Sequence, residues 1–297
     1  MSFQPVFNPF ATRPKTASLR SPAVAAHAVV RDQFPITTWL LIGALIQGTA
    51  SAFLPYRKIV LVLPVFLVLA FKLVSTVLVL TGICKNEMME GVIPYRTAVV
   101  LPNEKGMPEK AGESSVCAII LAVVSHHPLG MLGPGYREVG DQFGAMVKEL
   151  SNDATTHGFL GSSSWINADA RTTSNEIMNI LYFENEHHLH AYAHGPLHTK
   201  SMLWWRETEK SNPHLGIMHE VFACPKNTWE GIYVNYKPVG LGSLTKEVTD
   251  VNGQKSWVNS LVKIKGNLLY SKGRMGRSVG DKEWEPLTAL KPSELEV

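Results

Sequence analysis

Five of this chain's eleven histidines, His187, His188, His190, His194 and His198, fall in one stretch, FENEHHLHAYAHGPLHTKSMLWW, ending at Trp205. On a continuous helix His190 and His194 sit one turn apart on the same face, a spacing that suits a metal. Pro196 removes a backbone donor and restarts the helix, so the pattern does not extend to His198. No carboxylate follows at metalloprotease spacing. No metal is therefore expected. An axial haem histidine is a rival reading, and a polar helix face with one or two working imidazoles is the preferred one. An imidazole titrates near neutral pH and suits proton abstraction.

A second constellation follows in Ile217-Met218-His219-Glu220-Val221 and in Thr228–Tyr236, TWEGIYVNY. Alternate residues of a strand share a face, so Tyr233 and Asn235 point one way and Ile232 and Val234 the other. His219 and Val221 likewise lie opposite Glu220. Apolar walls with a few convergent polar groups are what a ligand pocket between sheet and helices requires.

The elements that must position these groups follow an α+β pattern. Val116–Val124 is an apolar, β-branched run expected as a buried strand. Tyr136–Leu150 carries Val139, Phe143, Met146, Val147 and Leu150 at helical spacing. Phe159–Asn167 and Ile177–Phe183 read as strands around a turn at Ala168–Ser174. Glu184–Lys210 is helical, broken at Gly195-Pro196, and Gly216–Ala223 and Gly231–Asn235 are further strands. Strand, helix, strand, strand, helix, strand is the ferredoxin-like order. Trp257–Tyr270 holds one more alternating run around Val262 and Ile264.

Ahead of this domain stand two apolar stretches, Ile36–Leu54 and Ile59–Cys84. Each is long enough to cross a bilayer as a helix, and only four residues, Pro55-Tyr56-Arg57-Lys58, separate them. They predict a transmembrane hairpin. Arg13, Lys15, Arg20 and Arg31 precede it and Lys85, Arg96 and Lys105 follow it, which places both tails in the cytosol. Lys72 interrupts the second span and is read as snorkelling or packing between helices. The prolines at positions 5, 9, 14 and 22 argue against an amphipathic targeting helix.

Net charge is +3, so nothing points to nucleic acid as a partner. Cys84, Cys117 and Cys224 share no CxxC or CxH spacing, which fits a reducing cytosol. The stretch Glu104–Ser115 is rich in charge, Gly and Ser and reads as a linker. The expected organisation is a flexible tail at 1–33, a membrane hairpin at 34–85, a linker at 86–115, a catalytic domain at 116–241 and a C-terminal extension at 242–297.

The run LYFENEHHLHAYAHGPLHTKSMLWW, then GIMHEVFACPKNTWEGIYVNYKPVGLG, resembles the monooxygenase-like family of the antibiotic-biosynthesis-monooxygenase superfamily. Fungal members of that family are often found in secondary-metabolite pathways. The resemblance covers roughly Val116–Leu241 and implies a ferredoxin-like fold pairing as a dimeric α+β barrel. Matching positions are His198, His219, Glu220, Trp229, Glu230, Tyr233 and Asn235. Superfamily relatives include cofactor-free oxygenases, haem-dependent aldoxime dehydratases and haem-degrading enzymes, and fold alone does not choose among them.

The expectation is a membrane-anchored enzyme, homodimeric and cytosol-facing on the endoplasmic reticulum, that oxidises a hydrophobic polyketide- or terpene-derived metabolite without a cofactor. His219 or His198 would be the base, with Glu220 or Glu230 orienting it and Tyr233 and Asn235 holding an oxyanion. Trp204, Trp205, Trp229, Glu230, His190 and His194 would contact substrate. A cofactor-free cyclase or isomerase, a haem-dependent lyase and a membrane-tethered scaffold are the alternatives.

Overall fold

A computed structural model describes residues 3–14, 30–31, 34–167, 176–249 and 253–277. The expected turn at Ala168–Ser174, much of the N-terminal tail and the end of the C-terminal extension lie outside the described residues.

Helices α1 (Ile36–Phe53) and α2 (Arg57–Leu80) are long and apolar enough to cross a membrane, and neither buries any residue within the protein. The chain reverses between them through Tyr56, at a left-handed φ of 60°. Pro64 lies inside α2 and cannot donate to the Val60 carbonyl one turn earlier. Gln47 of α1 fills that gap: its Nε2 donates to Val60 O and, at 3.0 Å, to Leu61 O.

Beyond the hairpin come β1 (Ile93–Val99), β2 (Val116–Ser125), α3 (Tyr136–Asn152), β3 (Phe159–Ile166) and β4 (Ile177–Phe183). Next are α4 (Glu186–Ala193), α5 (Pro196–Thr208) and β5 (Leu215–Cys224). Pro196 opens α5 at a position where its missing donor costs nothing. Strands β2 to β5 form one antiparallel sheet in the order β3-β4-β2-β5. That is the ferredoxin-like arrangement the sequence order predicts. Because strand side chains alternate, Cys117, Ile119 and Leu121 of β2 take one face. There they pack with Val147 and Leu150 of α3 and with Leu189 and Tyr192 of α4.

The opposite face is covered by the chain itself. Strands β6 (Ile232–Tyr236), β7 (Thr245–Thr249), β8 (Lys255–Asn259) and β9 (Leu261–Lys263) lead to the short helix α6 (Ser271–Arg274). A second sheet runs β6-β1-β9, and β7 pairs with β8. Val99, Trp229, Leu244 and Leu261 pack against Val116, Leu160 and Tyr182 of the first sheet, with Ala118, Ile180 and Tyr233 half-buried beside them.

Three expected boundaries change. The segment 86–115 is not a linker throughout, because β1 is the middle strand of the second sheet and Thr97, Ala98 and Val99 are fully buried. Gly and charge mark only the half after it. The extension 242–297 is, over 242–249 and 253–277, part of the same packed layer. Residues 3–14 of the supposed flexible tail form a strap. Pro5 bridges to Val262 and Phe10 to Trp257, and the Val6 N–H donates to Leu261 O at 2.9 Å. Arg13 ends the strap between the rings of Phe159 and Trp257, 4.9 and 4.8 Å from their centroids. It donates to Phe159 O at 3.1 Å and Thr245 Oγ1 at 3.2 Å. Burial there lowers its guanidinium to about 10.

Candidate active site

His219 stands on β5, directly opposite Leu121 of β2. It therefore shares the face on which α3 and α4 pack, and it remains exposed while Ile119 and Leu121 beside it are half-buried. β5 is an edge strand. Its residues from Gly216 to Cys224 are all at least partly exposed, Ile217, Met218, Val221 and Phe222 at 44–49 %. Helix α5 buries no side chain fully either, and it presents Trp204 and Trp205 half-buried with ring centroids 6.4 Å apart. His198, in its first turn, is half-buried, and its Nδ1 is enclosed without a hydrogen-bond partner. The helix-side layer is thus filled at its α3–α4 end and open along β5 and α5.

The supporting groups fall elsewhere. Glu220 points to the other face of β5 and cannot orient an imidazole at His219. Tyr233 and Asn235 are not in the sheet of His219, since β6 pairs with β1. The Tyr233 hydroxyl donates to Val239 O at 2.7 Å and accepts from the Gly242 N–H at 2.9 Å. Burial raises its pKa, with the Gly242 N–H acting in the other direction. Asn235 is exposed and adopts a left-handed φ of 50°. Trp229 is buried and donates to Ser114 O at 2.8 Å. Glu230 pairs with Arg274 at 2.6 Å and accepts from Ser271 Oγ at 2.8 Å. Spacing in a sequence cannot tell a pocket-facing tyrosine or glutamate from one that straps two layers together.

The histidine-rich helix is exposed where it was most suggestive. His190 and His194 stack at 6.4 Å and both face solvent, and His194 Nδ1 contacts His190 O at 2.7 Å. A haem ligand needs a free ring nitrogen beneath an apolar wall, and this pair has none above it. The residues do not fit the group. Among the described residues no group of three or more His, Cys, Asp or Glu is placed to hold a metal. Asn185 caps α4, its Oδ1 accepting the His188 N–H at 3.0 Å.

Two cavities hold none of the expected residues. One of about 360 Å³ lies among Lys110, Glu113, Lys226, Asn227 and Arg277. The other, about 280 Å³, lies among Leu101, Ser115, Leu160, Glu184 and Lys246. Sequence reasoning also missed Tyr182, whose hydroxyl bonds Ser163 between the two sheets and whose pKa burial raises. The serine run at 162–164 was the available signal.

Residues 116–241 match the family described as Monooxygenase af470-like. Monooxygenase af470 of Aspergillus fumigatus is 30% identical over 249 residues, covering 83% of this chain and 89% of that protein. The chain belongs to the monooxygenase af470-like family. It is a monooxygenase-like enzyme, as the resemblance implied. Solved structures similar to it include the aldoxime dehydratase OxdRE in complex with butyraldoxime, at 14% identity and a TM-score of 0.37. That match covers 50% of this chain and 39% of the dehydratase, so the chain spans about two fifths of its length. SnoaB, a cofactor-independent oxygenase from Streptomyces nogalater, is 14% identical with a TM-score of 0.26, over 38% of this chain and 95% of SnoaB. No chemistry is carried over from either.

Proposed function

We propose that this family member is a membrane-anchored oxygenase that binds a hydrophobic substrate along β5 and α5 and uses His219 as its base. The carrying observation is the open end of the helix-side layer. There an exposed imidazole stands on the face that carries the half-buried Ile119 and Leu121, and α5, which packs with α3 and α4, presents two half-buried tryptophans. The substrate class is a lipophilic polyketide- or terpene-derived compound with an acidic C–H or O–H. His219 takes that proton, and the carbanion passes one electron to dioxygen. The radical pair joins as a peroxide, which reclaims the proton. Loss of water breaks the O–O bond and removes the second hydrogen of the same carbon, so a CH2 becomes a carbonyl carrying one oxygen atom and no external reductant is consumed. His198 is a second proton carrier on this face, and its enclosed Nδ1 is the specific observation in its favour.

The strap supports the hairpin reading. Residues 3–14 precede α1 and α2, residues 93–277 follow them, and the two segments share backbone hydrogen bonds. Both ends of the hairpin therefore emerge on one side, the cytosolic side by their charge, and the endoplasmic reticulum is the proposed membrane. A homodimer would form through the open edge of β5, since the chain's own second sheet already occupies part of the face that a partner sheet would cover.

The experiment is a turnover assay in detergent or vesicles with lipophilic phenols and enolisable ketones. His219→Ala should cost roughly 10²–10⁴-fold in kcat, the usual range for a general base, while far-UV circular dichroism is unchanged. Full activity in that variant, with loss in the His190/His194 double alanine, would sink the assignment. A Soret band in the purified protein would replace the cofactor-free reading with a haem one.

A further inference from the structure

Asn179 interrupts an apolar strand face. Ile177, Leu181 and Phe183 share its side of β4, and Asn179 among them is only 8 % exposed. Asparagine is disfavoured in strands, and a buried amide there requires partners for its polar atoms. Oδ1 has one, since it accepts from Ser164 Oγ of β3. That bond turns Nδ2 away from β3. Nδ2 meets no acceptor among the described residues, and unlike His198 Nδ1 it is not enclosed.

Strand register decides what shares the layer with this free donor. Asn179 lies opposite Leu121 of β2, and Leu121 lies opposite His219 of β5, so the three form one row on the helix side of the sheet. The rows flanking it, Ile177–Val123–Ile217 and Leu181–Ile119–Val221, are apolar throughout. Two polar side chains in one row between apolar ones are the few placed polar groups that a ligand site needs. Two strand spacings of about 4.8 Å separate the Cα atoms of Asn179 and His219 by about 10 Å. A contact of about 3 Å at each end leaves about 4 Å between the two substrate atoms they hold.

We infer that Asn179 is a catalytic residue of the proposed reaction, its Nδ2 donating to the oxygen that gains negative charge when His219 takes the proton. The inference rests on the reading of His219 as the base. It supplies the oxyanion donor that Tyr233 and Asn235 cannot, because β6 belongs to the other sheet. As the C–H bond breaks, its proton goes to the imidazole and its electron pair spreads onto the conjugated oxygen. Asn179 keeps both of its hydrogens and stabilises that charge through a hydrogen bond. The substrate is thereby narrowed to one whose acidic carbon and oxyanion belong to a single conjugated unit.

The test measures kcat and KM for the full chain in vesicles, with the panel of lipophilic phenols and enolisable ketones. Wild type is compared with Asn179→Leu, Asn179→Asp and His219→Ala. Leucine keeps the volume of asparagine and removes the donor, so kcat should fall roughly 10²–10³-fold, the usual cost of one oxyanion donor. KM should change little, and far-UV circular dichroism should match wild type. Aspartate donates only when protonated, so the kcat of Asn179→Asp relative to wild type should rise as pH falls, while the leucine ratio stays flat. A merely structural amide would give no such pH-dependent ratio. Wild-type kcat in a folded Asn179→Leu, beside an inactive His219→Ala, would overturn the inference and leave the base standing. Wild-type kcat in both variants, or no turnover by wild type on any compound, would overturn the base reading and the inference together. If Asn179→Leu does not fold, Asn179→Asp decides, and a ratio that is flat with pH overturns the inference.

Discussion

At the scale of single residues, two tyrosine and glutamate side chains that look catalytic by type hold layers together. Tyr233 closes the Val239–Gly242 turn with one donated and one accepted hydrogen bond. Tyr233→Phe should therefore lower stability by about 1–2 kcal/mol, the usual net worth of such bonds, and leave turnover per folded molecule intact. A hundredfold fall in kcat in that folded variant would restore the oxyanion role. Glu230 neutralises Arg274, a largely buried guanidinium. Glu230→Ala should cost about 1–3 kcal/mol in denaturant unfolding, because it strands that charge. A midpoint equal to wild type would contradict the pairing. Burial also pushes up the phenols of Tyr136, to about 12, and of Tyr182, Tyr192 and Tyr233. A group whose folded pKa lies above its unfolded value stabilises the fold fully below the unfolded pKa, near 10 for tyrosine. That contribution is lost as pH rises from there through the folded values. Melting temperature should fall steadily above about pH 10, and a flat profile to pH 11.5 would count against these burials.

At the scale of elements, the hairpin shows how a polar residue earns its place between apolar helices. Pro64 leaves the Val60 carbonyl without its intrahelical donor, and the Gln47 amide reaches it from α1; in hydrocarbon, as the proposed anchor requires, no water could take its place. Gln47→Leu should loosen the hairpin by about 1 kcal/mol, read by steric trapping in micelles. The same change in a Pro64→Ala background should cost clearly less, because alanine restores the intrahelical bond. Equal costs in both backgrounds would mean that the contact does not couple the helices. On the proposed membrane reading, Lys72, fifteen residues into α2 and about 22 Å along it, lies near enough to the far end to snorkel.

Periodicity and turn residues made β2 through β5 legible, since each strand pairs inside one sheet and α3 and α4 each bury one face. β1 was not legible. Its seven residues, IPYRTAV, include a proline and an arginine, and burial comes from sandwiching between β6 and β9, which are remote in sequence. The strap at 3–14 was hidden for the same reason. Its prolines exclude a helix, but an extended segment against an edge strand needs no local signal. At the site, residue types identified His219 and His198 as imidazoles on the open layer. They misassigned the partners, because the face of β6 is decided by a sheet that sequence spacing does not reveal.

At the scale of the whole molecule, the strap and the second sheet join the segments on either side of the two apolar helices into one body. Removing residues 3–14 should lower the melting temperature by several degrees, since it deletes five backbone bonds and the Arg13 contacts with Phe159 and Trp257. An unchanged melting temperature would mean the strap is not part of the fold. On the proposed reading, the open β5–α5 end is the place where a lipophilic substrate meets dioxygen and an imidazole. The most direct test follows the oxygen atom. The full chain in vesicles is given ¹⁸O₂ and a panel of lipophilic phenols and enolisable ketones, and wild type is compared with His219→Ala. The account predicts one ¹⁸O atom per product from wild type without added reductant, and a drop of at least about a hundredfold in the variant. Product that carries no ¹⁸O, or equal labelling in His219→Ala, would contradict it.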